Sequence, residues 1–391
     1  MADIAKLRAW WASKQGLDGT LQGKPPAEVF AKSGWARSVA GAGPYLTLFS
    51  RAGTSREAAD KAVAGLAIHE LPSARGCTYV LPEADFALGL RVGQGFSDEA
   101  TLKTAAKLGV TEAEVAKLSG KVLEALAKGV KDPEEIREAC GSAVRNLGEE
   151  GKKKGMITTL PAILGKLQQT GDIRRVPVNG RLDQQRYKYT LWKPNPLAKF
   201  KLSKEAAYTE IARRYFSWIG PATLAEFQWF SGLGVKVAKT AVEPLKLISL
   251  PGAEQRLMFK EDLDKFQAFK APKEPCYAVV SSLDGLHLLR RNIDDLVDPQ
   301  DSGFKAATAM VDLPSHAIFD RGRLIGFWEF DPGRAEIAWM TFSRKKDKAL
   351  VDAVKRTEAY VRDQLGDARS FSLDSPKSRA PRIEALRKSA G

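Results

Sequence analysis

The sequence predicts an α+β fold in which a set of helices followed by two short strands recurs three times before a strand-rich final segment. Three observations carry that expectation. Apolar residues return at helical spacing in three separate stretches. Each stretch ends in short extended pieces joined through Pro, Gly or Asn-Gly. From Pro275 onward the pattern is of short strands broken by Gly, Asp and Pro. A chain of 391 residues also exceeds what one hydrophobic core usually organises.

The first unit is expected over 1–98. Ile4, Leu7, Trp10 and Trp11 fall at helical spacing within 2–15, and Pro25 and Pro26 start a second helix through Val29 and Phe30. The stretch RSVAGAGPYLTLFSR (37–51) then sets a small-residue patch before an apolar run. It has no GxGxxG and no GxxxxGK, so it is not a phosphate loop; it reads as a turn that lets a third helix, Tyr45 to Arg51, begin near Pro44. Gly53, Thr54 and Ser55 break that helix, and Ser55 caps a fourth, with Glu57 favoured at its positive end. AIHELPSARGCTYVLPEADF follows as a hairpin turning at Leu71-Pro72-Ser73, with Cys77 to Leu81 as the second strand. Helices and then a hairpin is the order of a winged helix.

A second winged helix is expected over 99–198. Its helices are 119–128, the segment opened by Asp132 and Pro133, and Ile157 to Gln169, the last interrupted early by Pro161; Lys152 to Gly155 form a basic gap. Its wing is GDIRRVPVNGRLDQQRYKYTLW, with Asn179-Gly180 as a two-residue hairpin signal. The third unit, 199–272, has helices beginning near Ser203 and Pro221, a Gly232/Gly234 break before VKVAKTAV, and a Pro251-Gly252 turn between two strands. The fourth, 273–391, is expected to be a β-barrel-like domain built from YAVVSSLDG, LHLLRR, AIFDRGRLIGFWEFD and RAEIAWMTF. A helix from about Asp347 to Leu365 closes it, and a basic, frayed tail ends it.

Composition narrows the functional classes. There are 61 Lys plus Arg against 47 Asp plus Glu, a net charge of +14, so polyanions are favoured partners. Cys77, Cys140 and Cys276 lie far apart with no CxxC, and His69, His287 and His316 stand singly, which argues against a metal site or a disulfide framework. No cofactor motif is present. No apolar run of membrane-spanning length and no signal-peptide pattern is seen, so a soluble cytoplasmic, nucleoid-associated monomer is expected.

The candidate contacts to such a polyanion are basic. Arg174, Arg175, Arg181, Arg186 and Lys188 flank the second wing, with Tyr187, Tyr189 and Trp192 interleaved; alternation sets Arg186 and Lys188 on one face. The alternative is a solvated, charged ribbon. Lys236 and Lys239 share one face of a candidate recognition helix. Arg75, at the edge of the first wing, either reaches a phosphate or braces the wing against the helix that begins at Pro82. Glu83 and Asp85 start that helix, where capping explains acidic residues and a general-acid role is the alternative.

Several of these stretches together resemble tandem winged-helix DNA glycosylases of the AlkZ and YcaQ kind, which excise alkylated bases and unhook interstrand crosslinks. LTLFSR (46–51) is similar to that family's L-x-L-W-x-R, and ARGCTYVLPEADF (74–86) to its M-R-G-T-L-H-L-V-P-x-x-D. RYFSWIGPATLAEFQWFSGL (214–233) resembles its R-Y-x-x-x-x-G-P-A-T-x-x-D-x-x-x-W-S-G-L, and AIFDRGRLIGFWEFD (317–331) its I-L-x-D-G-R-x-V-G-x-W. The resemblance runs from about residue 5 to 365 and implies three winged helices and a barrel around a DNA-sized channel.

It also implies a Gln-x-Gln or Gln-x-Asp pair shortly before L-x-L-W-x-R, where those side chains hold the catalytic water and the sugar. Counted back from Arg51 without gaps, the two positions are Arg37 and Val39; with a three-residue deletion they are Ala40 and Ala42. Neither choice supplies an amide or a carboxylate. Cys77 and Tyr79 also replace the family's Thr and His, while Arg75 and Asp85 match. The expectation is therefore a bacterial-type protein of DNA repair that binds double-stranded DNA through its phosphates, with no catalytic residue assigned. Its expected contacts are Arg51, Arg75, Arg174, Arg175, Arg186, Lys188, Lys236, Lys239, Arg290 and Arg291. The alternatives are an active glycosylase using Asp85, Glu83 or Tyr79, and a transcription regulator reading a defined operator.

Overall fold

The computed structural model describes residues 3–39, 41–184, 186–290, 293–302, 313–343, 347–369 and 373–389. Asp3 caps α1 (Ile4–Lys14), its carboxylate accepting from the backbone of Ala5 and Lys6. The paired prolines open α2 (Pro26–Ser33). A two-residue strand that the sequence did not announce, β1 (Ala36–Arg37), leads through the small-residue stretch to α3 (Gly43–Ala52), and Ser55 caps α4 (Arg56–Ala64). β2 (Ile68–Pro72) and β3 (Thr78–Pro82) complete an antiparallel sheet ordered β1-β3-β2, in which Val80 faces both Ala36 and Glu70. α5 (Phe86–Gly93) packs behind it.

The next stretch departs from expectation in several places. α6 (Ser97–Lys107) went unread because it buries little beyond Ala105. α7 (Glu112–Ala127) begins earlier than 119 because Thr111 and Glu114 close a capping box. α8 (Pro133–Cys140) starts at Asp132 as read, and α9 (Gly148–Lys153) takes up much of the basic gap. In α10 (Leu160–Gln169), Pro161 stands in the first turn, where no N–H is needed, so it starts the helix rather than interrupting it. β4 (Ile173–Pro177) pairs with β5 (Tyr187–Leu191), but not through a two-residue turn. Residues 178–186 intervene, and Leu182 from that loop is buried against Tyr45, whose hydroxyl accepts the Leu182 N–H at 3.0 Å.

Ser203 caps α11 (Lys204–Ile219). β6 (Ala222–Thr223), α12 (Leu224–Ser231) and α13 (Val235–Val242) follow, and Thr223 with Glu226 forms another capping box. β7 (Ile248–Leu250) and β8 (Ala253–Met258) flank Pro251-Gly252 in a sheet ordered β6-β8-β7, and α14 (Lys260–Ala268) leads away.

The final segment is an open antiparallel sheet, ordered β12-β11-β10-β9, of β9 (Tyr277–Val280), β10 (His316–Asp320), β11 (Arg323–Asp331) and β12 (Glu336–Thr341). Its outer strands β9 and β12 do not pair, so among the described residues there is no closed barrel, and that expectation is corrected. LHLLRR, read as a strand, opens as a helical turn, α15 (Gly285–Leu288), because Asp284 caps it. α16 (Lys348–Tyr360) lies where expected. The tail is not frayed over its helical part: α17 (Pro376–Ser389) packs on β11 and β12, with Arg382 on Glu329 at 3.0 Å and Arg387 on Asp331 at 2.8 Å.

The cores cut across the order of the chain. Tyr45, Leu46, Ile68 and Val80 pack with Val279, Ile318, Trp328 and Tyr360 in one cluster, while Tyr79, Phe86 and Leu90 pack with Tyr215, Trp218 and Phe230 in another. By contrast, α7, α8, α10, β4 and β5 enclose a small core of their own around Val122, Ile136, Ile163 and Ile173. The first sheet thus sits between elements from three parts of the sequence, with β2 meeting both α10 and β4.

Candidate nucleic-acid interface

The β4–β5 hairpin sorts its cations onto two faces. Register sets Arg174 opposite Thr190 and Val176 opposite Lys188, so Arg174 and Lys188 share one face; Arg175 lies opposite Tyr189 on the other. Arg186, just before β5, is exposed. Arg174, Arg186 and Lys188 form no ion pair among the described residues. Arg175 turns inward, its guanidinium 4.9 Å from the Tyr187 ring centre and 3.9 Å from Glu70. Arg181 is likewise spent on Asp183 and the Leu365 carbonyl.

α13 presents Lys236 and Lys239 to solvent, again without ion pairs among the described residues. Val235 and Val237 beside them are exposed as well, unusual for valines that have a core available. Behind this helix, Arg75 lies over the Trp229 ring at 3.8 Å and donates to the Trp229 carbonyl at 3.3 Å. It is a brace, as one of its two readings held, but against α12 rather than the helix after Pro82. Gly232 makes the contact possible: its φ is +74°, and a Cβ there would lie 2.8 Å from Phe96 and 3.1 Å from the Arg75 Cα.

Two other candidates are framework residues. Arg51 is buried and donates to both oxygens of Asp284, at 2.7 and 2.9 Å. Arg290 is buried over the Trp11 ring at 3.5 Å and donates to the Ile219 carbonyl at 2.7 Å, with Glu226 at 3.4 Å; burial pushes its pKa down to about 10 despite Glu226. Neither reaches solvent, so neither can meet a phosphate, and both are withdrawn as contacts. Arg291 lies outside the described residues.

Of the acidic and phenolic candidates, two are buried in packed surroundings and one is exposed. Asp85 is buried, accepting the Trp35 indole N–H at 2.9 Å and facing Arg214 at 3.1 Å; burial raises its pKa against both partners. Tyr79 is buried against Trp35 and Phe230, and burial pushes its hydroxyl up to about 12. Glu83 is exposed at the start of its turn. In the 37–42 stretch, the Arg37 guanidinium donates to the Thr78 carbonyl at 2.9 Å and lies over Tyr79. Val39 is half-buried, Ala42 is buried, and Ala40 lies outside the described residues.

One polar residue in this neighbourhood escaped the sequence reading. Glu70 of β2 is buried, and its Oε1 accepts the Ser38 hydroxyl at 2.5 Å. Its Oε2 has no hydrogen-bond partner among the described residues. Register sets Glu70 and Thr78 on one face of the sheet, and both line a cleft of about 140 Å³ with Gln168, Gln169 and Arg175. The only hint in the sequence was a carboxylate inside an apolar strand, IHELP.

Among the described residues, no three His, Cys, Asp or Glu side chains are placed to hold a metal, and no helix is long and apolar enough to cross a membrane.

The overall fold is shared with a solved DNA glycosylase. The structure of the Streptomyces sahachiroi DNA glycosylase AlkZ superposes with a TM-score of 0.70 at 18% sequence identity, covering 95% of this chain and 98% of that one. A family model for AlkZ-like DNA glycosylases matches residues 36–369, and the chain belongs to that family. No curated protein sequence matches it.

Proposed function

We propose that this protein acts in DNA repair by holding duplex DNA through the phosphate backbone, on a glycosylase scaffold whose 37–42 segment lacks the amide or carboxylate pair of its relatives. The helix and hairpin groups are read as three tandem winged helices, with α13 as the recognition helix of the third. The observation that carries the reading is the unpaired set Arg174, Arg186, Lys188, Lys236 and Lys239. Arg186, Lys236 and Lys239 are exposed, and Arg174 and Lys188 are half-buried. Here five stand without an ion pair on two elements, in a chain of a DNA glycosylase family. Arg75, braced over Trp229, is a sixth contact only if DNA comes near α12.

Phosphate contacts release counterions, so affinity falls with salt and depends little on base sequence. Five contacts give a slope of log K against log salt of roughly −4.5, about −0.9 per phosphate. Fluorescence anisotropy with unrelated 20-base-pair duplexes measures it. A slope near zero, or a single strongly preferred sequence, overturns the reading in favour of a different partner or an operator-specific regulator.

A further inference from the structure

We infer that Glu70 is a catalytic carboxylate, the acceptor of a proton from water that attacks the sugar of a DNA nucleotide. The inference rests on the duplex-binding reading above and deepens it. Its basis is an asymmetry in how Glu70 is held. A buried carboxylate normally has both oxygens engaged, because an unmet lone pair away from water is costly. The Ser38 hydroxyl engages only Oε1. Arg175 stands 3.9 Å from Oε2, too far to fill the hydrogen-bonding site. Tyr187, from the same hairpin, has its hydroxyl pKa raised by burial, by Glu70's charge and by a side-chain interaction with that carboxylate, so it stands as a neutral donor at the edge of hydrogen-bonding range.

The cleft that Glu70 lines has room for several waters, each taking roughly 30 Å³ of liquid volume. The groups come from the residue after β1 and from β2, β4 and β5, so the second hairpin, which carries the proposed phosphate contacts, also completes the Glu70 environment. Ser38 begins the stretch between β1 and α3 that otherwise offers only Val, Ala and Gly. The missing carboxylate is thus supplied from a neighbouring strand.

The chemistry balances with water alone. A nucleotide turned out of the stack brings its anomeric carbon to the cleft. The water oxygen bonds to C1′ as the C1′–N bond breaks, the electron pair of that bond leaves with the base, and the water's proton passes to Oε2 of Glu70. The negative carboxylate also offsets the positive charge growing on the sugar. Asp98 lines the same cleft, while the groups against Glu70 itself are an arginine, a serine and a tyrosine of raised pKa. A base already cationic through ring-nitrogen alkylation departs neutral and needs no acid, so it isolates the part played by Glu70.

The test is single-turnover release of 7-methylguanine from a duplex carrying one such base, with duplex binding measured by anisotropy in the same samples. The full chain should release the base, and E70Q should bind the duplex equally but release at least about 100-fold more slowly, the range of general-base effects. S38A, which only frees Oε1, should retain more activity than E70Q. Equal rates in E70Q and the unaltered chain, or tight duplex binding without any release, overturn the inference alone. Failure of the unaltered chain to bind duplex DNA overturns the binding reading and this inference with it.

Discussion

Asp284 and Glu70 are both buried acids that reach elements of the first ninety residues, and they differ in how fully they are met. Asp284 receives two charge-assisted bonds from Arg51, at 2.7 and 2.9 Å, and the backbone N–H of Leu286 at 2.9 Å. Glu70 has one hydroxyl on one oxygen, with a distant guanidinium and the Tyr187 hydroxyl near the carboxylate but neither within full hydrogen-bonding geometry. The first arrangement ties α3 to α15 across 233 positions of sequence and leaves nothing over. The second leaves a lone pair uncommitted beside a cleft. Burial alone therefore does not separate framework from chemistry in this molecule, and neither does an unmet oxygen by itself, since Asp85 Oδ1 and Glu329 Oε2 also lack a hydrogen bond among the described residues; Glu70 joins that feature to a cleft that it lines.

The largest expected effect lies on the saturated side. D284N leaves Arg51 buried without its counter-charge and should cost about 3–5 kcal/mol of unfolding free energy by urea titration. A loss below about 1 kcal/mol would remove the distinction. Acid sharpens the same point. Burial alone would raise the Asp284 pKa, but Arg51's charge and hydrogen bonds and the Leu286 N–H hold it below the ordinary carboxylate value. Its contribution is thus present above about pH 3.9 and lost as pH falls through the depressed folded value.

His69 follows, on the strand face opposite Glu70. Burial first, then Arg174 and Arg175, push its pKa down to about 3, so it stays neutral when folded and takes up a proton when unfolded. Stability should fall as pH drops below about 6.5, by up to roughly 1.4 kcal/mol per pH unit, until the folded value is reached. His316, shifted the same way chiefly by burial, adds to the slope. Urea titrations at pH 7, 6 and 5 measure this, and H69Q should flatten the dependence.

On the unsaturated side, E70Q keeps the Ser38 contact and loses only a weak ion pair, so its stability should change by about 1 kcal/mol or less. The smallest change in stability belongs to the exposed cations. K236Q/K239Q should alter it by about 0.5 kcal/mol at most, yet reduce the salt slope of duplex binding by about 2. An unchanged slope would place the DNA elsewhere.

Much of the architecture was legible because it rests on local chemistry. Ser55, Asp132 and Ser203 each cap the helix that their position promised. What was missed depended on contacts between distant segments. Ala36 and Arg37 form a strand only because β3 is there to pair with them. Arg51 and Arg290 carry the charge of DNA contacts, and nothing local announces that Asp284 and Glu226 bury them. Glu70 was hidden for the same reason: its partner Ser38 sits two strands away in the sheet, and Arg175 comes from a separate hairpin.

The most direct test sets E70Q and D284N side by side, measuring thermal midpoint and 7-methylguanine release from bound duplex on the same preparations. E70Q should melt within a few degrees of the unaltered chain and lose release by about 100-fold or more. D284N should melt far lower, while the molecules still folded at low temperature release the base at close to the unaltered rate. If E70Q retains release, or if the two variants lose stability and release in the same proportion, the division between a saturated framework acid and an unsaturated reactive one is contradicted.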